Sequence, residues 1–168
     1  VSAFNLIQNG FSFESALEDV VGFFDEVTVA VNFSTDDTLT ILQSLAAAQY
    51  AGKLRVISTN FSYTDVTFDG AIKNAALQAC TQDPNRVYVQ MDLDEMVPPS
   101  QYALWREYAV RLLEMPAIDC FMIPSVDLWG GLSTIRADKG IGAKFRMHKM
   151  GFYRGVWKHA WITYGKRF

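Results

Sequence analysis

The sequence predicts an α/β fold, a three-layer α/β/α sandwich built around a mostly parallel sheet. Three observations predict it. Short β-branched or apolar runs alternate with longer amphipathic runs from residue 3 to about residue 100, the order that gives parallel strands joined by helices. The breaks between them fall on Asn, Gly, Ser, Thr and Pro, the residues that terminate helices and strands. Half of the 168 residues are hydrophobic and 14% are aromatic, enough to bury the core of one domain.

The elements follow in order. Residues 3–8 read as a first strand that Asn9-Gly10 breaks, and Ser12 opens an amphipathic helix over 13–24. Residues 26–31 form a β-branched strand, followed by the polar turn 32–36. A helix over 37–50 carries Leu39, Ile41, Leu42, Leu45 and Ala46 on its apolar positions, and Gly52 ends it. A third strand at 54–58, a Ser/Thr/aromatic loop at 60–68 and a helix at 69–80 lead to the strand 87–91. A helix over 102–114 closes at Met115-Pro116, and 119–124 is a further strand. After Trp129-Gly130-Gly131 the pattern is less regular, with strand-like pieces at 144–149 and 156–162. One domain over residues 1–168 is expected. Opening on Val1 instead of Met, the chain reads as a domain excised from a longer protein.

Composition excludes some functions. A net charge of −3 argues against a dedicated nucleic-acid binder. Basic residues do gather late, at Lys144, Arg146, Lys149, Arg154, Lys158, Lys166 and Arg167, which reads either as a cationic wall opposite the acidic cluster or as a solvated basic surface. Cys80 and Cys120 lie far apart in no metal-ligand spacing, as expected of thiols in a reducing compartment. No apolar run reaches the length of a membrane span and no signal peptide is visible, so the expected location is cytoplasmic.

In an open parallel sheet, ligands bind beyond the carboxyl ends of the strands. Gln8-Asn9, the 32–36 turn, residues 58–60 and the acids Asp92, Asp94 and Glu95 all fall at such ends. Clustered carboxylates repel one another unless a cation offsets their charge. The Asp92-Leu93-Asp94 spacing, directly after a strand, lets both carboxylates share Mn2+ or Mg2+ with positions left open for phosphate oxygens. The alternative for these acids is a surface turn that caps the next helix. A haloacid-dehalogenase-type phosphatase also places D-x-D after a strand, but it wants Gly-Thr where this chain has Glu95-Met96. Ser34, Thr35 and Asp36 can cap the helix that follows them, while Asn32, at the strand end, has the donors and acceptors to meet a nucleobase edge. Gly70 permits close backbone approach, and Lys73 and Asn74 lie one turn later on the same helix, where Lys73 either faces a diphosphate or is a solvated lysine. Both histidines, His148 and His159, lie in "KFRMHKMGFYRGVWKHAW".

Taken in order, these pieces resemble the GT-A glycosyltransferases, close to the family 2 group of inverting enzymes that use nucleotide-diphosphate sugars. The family's strand ending in Arg-Asn is matched by Gln8-Asn9. Its D-D/N-G-S-x-D-x-T is matched by Val31 to Thr38, its G-x-x-x-R-N by Gly70 to Asn74 with Lys73 for Arg, and its D-x-D by Asp92 to Asp94. The R-x-F-R…G-x-x-H-E ending is matched by Arg146 to His159, with Ala160 in place of Glu. Val31 and Phe33 stand where the family has Asp and Gly.

The resemblance implies a Rossmann-like GT-A sandwich with a nucleotide-sugar part over about 1–100 and an acceptor part over about 101–168. It implies that Gln8, Asn9, Asn32, Ser34, Asp36, Lys73, Asn74, Asp92 and Leu93 bind the nucleotide sugar, and that Asp92, Asp94 and His159 hold the metal. It implies a glycan or other hydroxyl acceptor. No position inherits the catalytic base; Asp127 is the candidate from its place after the 119–124 strand, with Asp138 and Glu95 as alternatives. Trp129, Trp157 and Trp161 are candidates for stacking on sugar faces. Two other classes stay open. A nucleotidyltransferase would want a basic Gly-rich loop where "QNGFSFES" stands, and a non-catalytic sugar-nucleotide or glycan-binding module would account for Val31, Phe33 and Ala160.

Overall fold

A computed structural model describes residues 13–62, 64–65, 68–92, 95, 97–126, 141–149, 156–158 and 161–163. The chain divides into two compact units, Val1–Val20 with Asn85–Met150, and Val21–Pro84 with Gly151–Phe168. Helix α1 (Phe13–Phe23) crosses the boundary, and its Leu17 and Val21, one turn apart, are both buried.

The second unit is built on strands β1 (Val27–Asn32) and β2 (Leu54–Thr59), paired in parallel with Val27 opposite Leu54 and Asn32 opposite Thr59. Val27, Val31 and Leu54 bury their side chains, as β-branched and aliphatic residues on a covered sheet do. Parallel strands need a crossover, and α2 (Thr38–Ala47) supplies it, burying Leu42 completely. The return to β2 turns at Gly52, whose φ of 78° lies in the left-handed region that glycine enters without a Cβ clash. Helix α3 (Phe68–Ala79) lies against β1 and β2, with Leu77 buried. Glu26 accepts from the Thr81 amide through both oxygens, at 3.2 and 3.3 Å, and lies 3.6 Å from Arg55, whose guanidinium donates to the Ala79 carbonyl. These contacts tie the segment after α3 to the strand starts. Strands β6 (Val156–Lys158) and β7 (Trp161–Thr163) pair antiparallel in the same unit.

In the first unit, β3 (Val87–Val89), β4 (Cys120–Val126) and β5 (Ile141–Lys149) form an antiparallel sheet in the order β3-β5-β4. Helix α4 (Tyr102–Glu114), entered through a short 3₁₀ turn at Pro99–Gln101, packs against β5 and β3. It buries Trp105 and Leu112, seven residues apart and therefore on one helical face. The Tyr108 and Phe121 rings meet edge to face at 6.2 Å, and the Tyr102 hydroxyl donates to the Asp19 carbonyl at 3.4 Å. Burial and the nearby Asp19 charge push the Tyr102 phenol upward.

The α/β class holds. Of the mostly parallel sheet expected from sequence, the described residues show a separate two-stranded parallel sheet, β1–β2; the other described pairs are antiparallel and lie in sheets of their own. Residues 156–162, expected as one strand, form two short ones, because a chain that reverses satisfies its backbone groups against itself. Lys149, counted from sequence as part of a cationic wall, is buried, its ammonium donating to the Met115 carbonyl. The strand expected at 3–8 lies outside the described residues. No helix among the described residues is long and apolar enough to cross a membrane.

Candidate functional site

The carboxyl edge of β1–β2 is braced by Asn32. Its Oδ1 accepts from the Phe61 amide at 2.8 Å and from the Thr59 hydroxyl at 3.0 Å, while its Nδ2 donates to the Phe61 carbonyl at 3.0 Å. The side-chain amide thus imitates a strand backbone and carries the ladder one residue past the end of β1. The parallel register makes this possible, because Asn32 and Thr59 are direct partners. The nucleobase-edge role expected of Asn32 competes with these three bonds.

Phe33, the next residue, has a φ of 46° and an exposed ring. A bulky residue held there costs about 1–3 kcal/mol. The turn beyond it is held by Asp36, whose Oδ1 accepts from the Ser34 hydroxyl and from the Thr38 amide at 3.0 Å. Asp36, rather than its neighbour Asp37, thereby satisfies the first donor of α2. The Ser34 and Thr38 hydrogen bonds hold the Asp36 carboxyl down at about 2, so this exposed group is an anion throughout the physiological range. An anion here suits sugar or ribose hydroxyls and opposes phosphate. Lys73 and Asn74 lie half-buried on α3 of the same unit, close after the buried Gly70.

Asp92 belongs to the other unit, in a reciprocal turn that begins three residues after β3 ends. The Glu95 amide donates to the Asp92 carbonyl at 3.0 Å, and the Glu95 carboxylate accepts from the Asp92 amide at 2.8 Å. The buried Gln90 donates to Asp92 Oδ1 at 3.0 Å, fixing how that carboxylate is presented. Mn2+ or Mg2+ requires hard oxygen donors, and Asp92 is one in its chemistry and its orienting partner. No group of three or more His, Cys, Asp or Glu side chains converges to hold a metal among the described residues. Asp94 and His159, the rest of the expected metal set, lie outside them, as do Gln8, Asn9, Leu93, Asp127, Asp138 and Trp129. Glu95, an alternative base in the sequence reading, is engaged in closing the acid turn. His148 is buried on β5, flanked in register by Tyr88 and Cys120.

Sequence reasoning passed over Gln90, Thr59, Phe61 and Phe33 as working residues. Phe33 carried a signal, since it stands where the family motif wants glycine. The other three carried none, because their roles depend on partners set by the register and by loop paths. Comparison with protein-family models, curated proteins and solved structures finds no match to this chain.

Proposed function

We propose that this chain is a metal-dependent inverting glycosyltransferase of GT-A type, moving a sugar from a nucleotide-diphosphate donor to a hydroxyl of a glycan or other acceptor. The observation that carries the reading is the acid turn: Asp92 comes three residues after β3 ends, with its carboxylate oriented by the buried Gln90 and its backbone closed by Glu95. A turn that served only to cap the next helix would not need a buried amide aimed at that carboxylate. The β-α-β-α order and the polar turn after β1 add support.

Asp92 and Asp94, with His159, hold Mn2+ or Mg2+ in this reading. When bound, the cation offsets the negative charge that builds on the departing diphosphate. Asp36, an exposed anion at the β1 edge, accepts hydrogen bonds from donor hydroxyls, and Lys73 and Asn74 contact the nucleotide. Asp127 takes the proton from the acceptor hydroxyl, whose oxygen attacks the anomeric carbon opposite the leaving diphosphate; attack from that side inverts the centre. A cytoplasmic location belongs to the same proposal.

A thermal-shift screen of nucleoside diphosphates and their sugars, with and without Mn2+, tests the reading. The expected result is a metal-dependent rise in Tm for at least one diphosphate, abolished in Asp94→Ala while that variant melts as cooperatively as the parent. An equal shift in Asp94→Ala would remove the metal assignment. No shift with any diphosphate in the presence of Mn2+ would sink the transferase reading.

A further inference from the structure

Gln90, two positions before Asp92, is only 6% exposed, and its Nε2 donates to Asp92 Oδ1 at 3.0 Å. A buried amide needs an acceptor, and the kind of donor a carboxylate receives decides what that carboxylate can still bind. An Arg or Lys in the place of Gln90 would orient Asp92 and also offset its charge. The neutral amide orients Asp92 without offsetting it. The main chain of Asp92 is held as well. Its amide donates to the Glu95 carboxylate at 2.8 Å, and its carbonyl accepts from the Glu95 amide at 3.0 Å.

Divalent cations differ in how they use a carboxylate. Ca2+ gathers about six to eight oxygens in a flexible shell and often takes both from one carboxylate. Mg2+ demands a near-octahedral shell at about 2.0–2.1 Å, whose angles do not tolerate the narrow bite of a chelating carboxylate. Mn2+ shares the octahedral preference. At Asp92, chelation through both oxygens would take Oδ1 from Gln90 and deprive a buried N–H of its acceptor. Coordination through one oxygen leaves that bond and the Glu95 turn in place.

We infer that Gln90 is a specificity-determining residue for the cation: by holding Oδ1, it makes Asp92 a one-oxygen ligand and favours Mn2+ or Mg2+ over Ca2+. This preference rests on the metal assignment in the function proposed above. Gln90 acts through Asp92 and does not itself touch the ion. Its loss therefore changes which cation is preferred, whereas damage to the fold would weaken all cations alike.

The test uses the full chain and the metals alone. Bound Mn2+ is read from the loss of the free-ion electron paramagnetic resonance signal, and Ca2+ and Mg2+ are titrated in as competitors. Wild type holds Mn2+ and releases it to Mg2+ more readily than to Ca2+. In Gln90→Met and Gln90→Leu, which remove the donor and keep similar bulk, the preference for Mn2+ over Ca2+ falls by roughly tenfold. An unchanged preference in variants that melt cooperatively overturns the inference, as does an equal loss of affinity for every cation. If neither variant folds, wild type decides: Ca2+ bound as tightly as Mn2+ overturns it. A wild type that binds no Mn2+ removes both the inference and the metal assignment. The transferase reading fails separately, when the cation preference behaves as expected yet no nucleoside diphosphate or its sugar raises Tm with Mn2+.

Discussion

The Asn32 amide lies between two chain segments, with its oxygen accepting from Phe61 and Thr59 and its nitrogen donating to the Phe61 carbonyl. Asn32→Asp keeps the shape and removes the donor, turning a carboxylate oxygen toward the Phe61 carbonyl. The expected cost is about 1–3 kcal/mol of unfolding free energy, measured by urea denaturation. Asn32→Ala, which removes all three bonds, should cost at least as much. At Asp36 the effect runs through pH. Its folded carboxyl sits at about 2 against an ordinary 3.8, chiefly because of the Ser34 hydrogen bond. The stabilisation is therefore complete above the unfolded value near 3.8 and is lost as the pH falls through about 2. A carbon-detected NMR titration should place the Asp36 midpoint well below those of exposed aspartates, and Ser34→Ala should move it upward. An Asp36 midpoint near 3.8 in the parent chain would contradict the turn geometry.

Helix α4 shows how one element divides its work between two faces. Leu112 is fully buried while Val110, two residues away, is 55% exposed, as the helical period requires. Leu112→Ala should cost about 2–5 kcal/mol through lost burial and a residual cavity, whereas Val110→Ala should stay within about 0.5 kcal/mol. Comparable losses at both positions in chemical denaturation would mean that the helix is turned otherwise. The β1–β2 pair makes a different use of periodicity. Its register brings Thr59 level with Asn32, and a slip of one residue in either strand would put the two side chains on opposite faces of the sheet. The β-branched run of β1 was legible in its residues, as was the polar turn that follows. The clamp between Asn32 and Phe61 was not, since 29 positions separate the two residues and only strand pairing brings them together. Residues 156–162 show the converse: local β propensity marked them as a strand, but propensity does not say where a strand folds back on itself.

For the whole molecule, the net charge of −3 and the apolar content mark a folded, mildly acidic chain. Donor binding would act on stability at this scale by mass action. A metal-bound donor at about a hundredfold excess over its dissociation constant adds roughly 2.7 kcal/mol to the native state, which the thermal-shift screen reads directly. The amino-acid order by itself determined the α/β class, the helices from Phe13 to Glu114 to within a few residues, and the acid turn that follows β3. It did so because helix and strand periods, caps and breakers are local properties of the chain. The tertiary structure decided that β3 pairs with β5, that Lys149 lies buried beneath Met115, that Gln90 orients Asp92, and that Asn32 holds Phe61. Most of these depend on residues distant in sequence, and Gln90, only two positions from Asp92, depends on the strand end that buries it. Hydrogen bonding and burial are satisfied by whichever groups the fold brings within reach, and a linear pattern does not name those groups.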